Sequence, residues 1–120
     1  RLHLRADLTR PLAEIEEVAG RVQLELDKVF QGQAVVELGP CHSQIGSGAL
    51  PLELLESIAV EISPIAQKGQ TDAMLNTLAA NFRSLPKPVI GRISDGKLIF
   101  DLRCLRDEAG FVGQLQKLSI

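Results

Sequence analysis

Between Cys41 and Pro51 the sequence reads Cys-His-Ser-Gln-Ile-Gly-Ser-Gly-Ala-Leu-Pro. Ser43, Gln44 and Ser47 bring two hydroxyls and one amide, and Gly46 and Gly48 let the backbone come close to a phosphate or to a neighbouring protein surface. The spacing is neither that of a Walker loop nor that of a dinucleotide fingerprint. A tight turn between strands is the competing reading. Cys41 and His42 are adjacent, and adjacent side chains of an extended segment point apart, so they make a poor nucleophile and base pair. His3 is the only other histidine, which leaves no metal-ligand cluster. Packing within the loop is the simpler role for both.

A second group, Arg92, Asp101 and Arg103, carries charge close to an Asp95-Gly96 turn. Such a cluster suits an anion or a second domain. An exposed cross-strand ion pair between Arg92 and Asp101 explains it more simply than direct chemistry does, and is worth little. Arg103 is then the better candidate for an interdomain or ligand contact. Cys104 beside it is most simply a thiol buried at a strand end.

The elements that must position these residues follow from periodicity. Thr9 as cap, Pro11 in the first turn, Glu14, Glu16 and Glu17 near the start and Gly32 at the exit frame a long amphipathic helix. Its apolar positions are Ile15, Val18, Ala19, Val22, Leu26, Val29 and Phe30. Ala34 to Leu38 and Ile58 to Ile62 read as strands, separated by a long loop from Gly39 to Ser57 that holds too many breakers for a helix in its first half. A loop of that length in a compact domain is functional or disordered. Thr71 is expected to cap a second helix, with Leu75, Leu78, Ala79, Phe82 and Leu85 on one side. Val89 to Ile93 and Lys97 to Arg103 form a hairpin around Asp95-Gly96. If those two residues are the whole turn, Val89, Gly91, Ile93, Leu98, Phe100 and Leu102 share one face, and Arg92, Ile99, Asp101 and Arg103 the other. Asp107 caps a last helix with Phe111, Val112, Leu115 and Leu118 inward.

This order predicts an α+β two-layer sandwich with about four mainly antiparallel strands and helices on one face. The expected organisation is a single domain over 1–120, with a linker region and long helix in 1–32 and the sheet, hairpin and two helices in 33–120. The 120 residues are 45% hydrophobic, with four Phe and no Trp or Tyr, so the core must be aliphatic and aromatic platforms for single-stranded bases are missing. A net charge of -2 and a pI of about 5.7 argue against nucleic-acid affinity of the domain's own. Two distant cysteines and no long apolar stretch fit a reduced, cytoplasmic protein without membrane spans. The chain opens at Arg1 without Met and with strand-like alternation already running, as expected of a piece cut from a longer chain.

Cys41 to Pro51 resembles the Ser-Gln-(Ile/Val)-Gly-(Ser/Gly)-Gly-(Ser/Ala)-Leu-Pro signature of the bacterial selenocysteine synthase family, the L-seryl-tRNA(Sec) selenium transferases. Pro88 to Arg103 is similar to that family's final hairpin, and Leu8-Thr9-Arg10 to its junction before the last domain. The resemblance implies the small carboxy-terminal domain of a fold-type I pyridoxal-phosphate enzyme. Its full-length form would convert seryl-tRNA(Sec) to selenocysteyl-tRNA(Sec) with selenophosphate, as a homo-oligomer. The Schiff-base lysine would lie upstream, in the large domain, and none of Lys28, Lys68, Lys87, Lys97 or Lys117 matches it. The fragment alone is then expected to be inactive, with Ser43, Gln44, Gly46, Ser47, Gly48, Arg92 and Arg103 as substrate or interdomain candidates rather than catalytic residues. The substrate carboxylate is esterified to tRNA, so neither arginine inherits a carboxylate-clamp role. Two other readings stand beside this one: the small domain of a related pyridoxal-phosphate lyase, or a noncatalytic module that binds tRNA or partner subunits.

Overall fold

The computed structural model describes residues 11–45 and 53–118, with side chains for all but 42–45 and 53–55. The first helix, α1, spans Leu12–Phe30 and buries Ile15, Val18, Ala19, Val22, Leu26 and Phe30, the stripe expected from its three-and-four spacing. Its capping position is Pro11, in an extended conformation, rather than a hydroxyl residue. Thr9 lies outside the described residues. The helix ends where Gln31 and Gly32 both turn to positive φ, and the Gln31 N–H donates to the Asp27 carbonyl.

Strands β1 (Ala34–Ile45) and β2 (Glu53–Pro64) pair antiparallel without a break, from Ala34↔Pro64 to Ile45↔Glu53. Most of the loop expected between Gly39 and Ser57 is therefore strand. Pro40 lies within β1 opposite Ile58, and β1 is the edge of a sheet ordered β1-β2-β4-β3. An edge strand tolerates a residue without an N–H because half of its donors have no neighbouring strand to meet. Gly39 and Pro40 thus belong to an edge strand.

Helix α2 (Thr71–Arg83) follows, with Thr71 as its first helical residue and Gln70 at the capping position, so Thr71 does not cap it. Leu75, Leu78, Ala79 and Phe82 are buried, and Leu85 is buried in the turn beyond. Strands β3 (Arg92–Ser94) and β4 (Lys97–Asp101) join through Asp95 and Gly96, at φ of 52° and 74°. Both central residues are left-handed, as the two-residue hairpin turn demands. Asp101 begins no further strand, because Leu102–Cys104 closes into a 3-10 turn. Helix α3 (Glu108–Gln114) starts at Asp107, whose side chain accepts from the Gly110 N–H at 2.9 Å, as expected.

The three α-helices of the described residues lie on one face of the sheet, giving the expected α+β two-layer architecture. Val36, Ile62 and Leu98 form one inward row across the strands, with Val60 and Phe100 beside it, all buried. Burial of side chains of this size contributes about 1.5–3 kcal/mol each. Among the described residues, no helix is long and apolar enough to cross a membrane.

Candidate functional site

Strand β4 pairs with β2 only from Ala59 to Ile62. Beyond Ala59 the β1 and β2 strands continue alone, from Pro40↔Ile58 to Ile45↔Glu53. At about 3.3 Å per residue these paired positions make a two-stranded arm roughly 20 Å long. Leu38 and Pro40, which face the helix layer by register, are exposed, whereas Ile58 opposite Pro40 is half-buried against the core. Ser43 and Gln44 belong to the arm's outer end, and Gly46, Ser47 and Gly48 fall on the stretch joining its strands, outside the described residues.

The arm is fastened where the third strand stops. Asp101, the last residue of β4, lies opposite Ala59. Its Oδ1 accepts from the Ser57 hydroxyl and, at 3.0 Å, from the Arg103 N–H. The 3-10 turn at Leu102–Cys104 folds the Arg103 side chain back against the sheet, where its Nη2 donates to the Glu56 carbonyl. Ser57 is 2% exposed and Arg103 5%. A guanidinium buried that far is tolerated only with hydrogen-bonding partners around it, which ties Arg103 to the arm. The sequence placed Arg103 on the exposed sheet face with Arg92, but it lies buried at the arm's root because the strand ends two residues sooner. Ser57 was missed altogether. Its signal is the alternation Ser57, Ala59, Glu61 against Ile58, Val60, Ile62, which puts the hydroxyl on the outward face of a strand.

Register sets Arg92 opposite Ile99, so it is diagonal to Asp101 rather than directly across from it. Arg92 is exposed, and with Cys41, Ala59, Ile90, Gly91, Ile99 and Asp101 it lines a cavity of about 290 Å³ on the helix-free face. Gly91 is required there: a Cβ would press on the Phe100 ring and the Ile99 carbonyl. Burial, with the Asp101 carboxylate next, pushes the Cys41 thiol above its ordinary pKa, so it is held as a neutral thiol. It is therefore no activated nucleophile. Cys104 is exposed at the surface rather than buried at a strand end.

The lysines are ion-paired or exposed. Lys97 contacts Glu61 at 2.9 Å and Glu37 at 3.8 Å, and the hydrogen bond to Glu61 followed by its charge raises its pKa, which keeps the amine protonated. Lys28 and Lys87 are held by Glu25 and Asp107, and Lys68 and Lys117 are exposed. Among the described residues no three His, Cys, Asp or Glu gather to hold a metal.

A family model for L-seryl-tRNA selenium transferase (SelA) matches residues 2–106. Proteins called L-seryl-tRNA(Sec) selenium transferase from Salmonella paratyphi B, Salmonella schwarzengrund and Salmonella typhi are each 46% identical over 110 residues. The alignment covers 92% of this chain but 23% of each relative, so the chain spans about a quarter of their length. The match runs through α1, the arm, α2, the β3–β4 hairpin and the 3-10 turn that holds Arg103, and the chain belongs to the L-seryl-tRNA selenium transferase family.

Proposed function

We propose that this chain is the carboxy-terminal domain of a pyridoxal-phosphate-dependent enzyme that converts seryl-tRNA(Sec) to selenocysteyl-tRNA(Sec) with selenophosphate. The observation that supports the reading is the arm: the family match spans it, and its two strands run beyond the third strand as far as Ile45 and Glu53. A two-stranded extension with Leu38 and Pro40 exposed serves this domain's stability little, and suits contact with another surface.

In this reading the cofactor belongs to a larger domain upstream and supplies the electron sink for chemistry at the seryl side chain. The lysines of this chain take no part in it. Ser43, Gln44, Ser47 and the glycine backbone at 46 and 48 close the active site from the small-domain side, and Arg92 stands at an exposed position for an anion or the large domain. Assembly as a homo-oligomer in the cytoplasm belongs to the same proposal.

The test is made on the full-length protein, supplied with seryl-tRNA(Sec) and radiolabelled selenophosphate. Label recovered as selenocysteyl-tRNA(Sec) is the expected result. Lyase activity on a small amino acid, with no labelled tRNA formed, would replace this reading with that of a related pyridoxal-phosphate lyase.

A further inference from the structure

We infer that Ser57, Asp101 and Arg103 are positioning residues that set the angle and stiffness of the arm, and through it the rate of the transfer reaction. The inference rests on the proposal that the arm's end helps complete an active site. It adds the device that aims the arm.

Three observations place this device. The sheet narrows from three strands to two at Ala59↔Asp101, so the mechanical root of the arm lies there. Two bonds of the brace cross this point, Ser57 to Asp101 and the Arg103 guanidinium to the Glu56 carbonyl, and the Arg103 N–H bond to Asp101 caps the 3-10 turn from which Arg103 reaches back. Finally, Ser57 and Arg103, together with Gln114 elsewhere, are the buried polar or charged residues of the described chain. A polar brace in such a place costs desolvation that an apolar pair would not incur. What it offers in return is direction, because each bond fixes the root at a defined angle while aliphatic contacts would let it slide.

The root also has leverage. A rotation of a few degrees at Ala59 displaces the end of a roughly 20 Å arm by about 1 Å. Misplacement of that size costs on the order of 10²-fold in rate when the displaced group helps orient a reaction. A loosened brace should therefore lower kcat and leave the KM for seryl-tRNA(Sec) unchanged, because the brace is buried and the change touches no group offered to tRNA.

The experiment uses the full-length enzyme with Ser57→Ala, Ser57→Thr and Arg103→Met. Amide hydrogen exchange of residues 41–45 and 53–58 is compared with that of α1 and α2, and kcat and KM are measured on the same samples. Ser57→Ala should speed exchange in the arm alone and lower kcat about ten- to a hundredfold. Ser57→Thr, which keeps the hydroxyl, should restore both. If Arg103→Met fails to fold, the two Ser57 variants still decide the matter. Unchanged arm exchange in Ser57→Ala would show that the brace does not hold the arm and would overturn the inference. Faster exchange with unchanged kcat would also overturn it, and would count against the arm as an active-site element. Loss of kcat without the brace effect would leave that active-site reading standing while removing this one.

Discussion

Replacing Phe82 with Ala probes the packing on which everything at the arm's root depends. Phe82 is 0% exposed, and its ring lies 4.8 Å from that of Phe100 at 60° between planes. Phe100 is the residue before Asp101, so the aromatic pair holds β4 against α2 one position from the brace. Truncation removes buried apolar surface and leaves a cavity, a combined loss of about 3–5 kcal/mol. The tilted ring contact accounts for about 0.5–1.5 kcal/mol of it. For a chain of this size the unfolding midpoint should fall by roughly 10–20 °C. The assays are thermal and urea unfolding of the 120-residue chain followed by far-UV circular dichroism, since the sequence has neither Trp nor Tyr as a fluorescent probe. A cycle with Phe100→Leu isolates the ring contact. A loss below about 1 kcal/mol, the ordinary scale of an average substitution, would refute the placement of Phe82 at the centre of the core. A coupling of zero would refute the ring pairing.

Gly96→Val should destabilise the hairpin by about 1–2 kcal/mol, because φ of 74° is strained for a β-branched residue; an unchanged urea midpoint would contradict the turn geometry. The Lys87 hydrogen bond, then the Gly110 N–H, holds the Asp107 carboxyl below its usual pKa. Its contribution is thus present above the ordinary carboxylate range and is lost as pH falls through the lowered folded value. Asp107→Asn keeps an acceptor for Gly110 without titrating there, so it should flatten the acid limb of thermal unfolding against pH; identical limbs would contradict this. Alkylation mapped by mass spectrometry on the isolated chain should reach Cys104 before Cys41, whose raised thiol pKa lowers its thiolate fraction, and the gap should narrow as pH rises. The isolated chain, with its net charge of -2, should bind tRNA weakly and without preference at near-physiological salt; tight selective binding would favour an interaction module instead.

Local signals were legible where local forces decide. The stripe from Ile15 to Phe30, the left-handed pair Asp95-Gly96 and the Asp107 cap are all set within a few residues, and each stands as the sequence indicates. The alternation of Leu98 and Phe100 inward against Ile99 and Asp101 also holds. The long strands were not legible, because Gly39 and Pro40 look like breakers unless β1 is known to be an edge. Thr71 resembled a cap by type, yet the helix begins one residue earlier. Arg103 was read into the wrong surface because its partner, the Glu56 carbonyl, lies 47 residues away. Such a bond leaves no periodic trace. The glycine-rich candidates Gly46, Ser47 and Gly48 stand out by resemblance and by composition, and they lie outside the described residues.

The claim that the arm's end completes an active site is tested most directly by one rate. Single-turnover selenium transfer to seryl-tRNA(Sec) is measured with the full-length enzyme carrying Gly46→Val and Gly48→Val, at saturating tRNA. Bulk added where close backbone approach is expected should lower the rate on the order of 10²-fold, with the thermal midpoint of the protein little changed. A wild-type rate from the folded double variant would contradict the account and leave the glycine-rich segment as a structural turn of this domain.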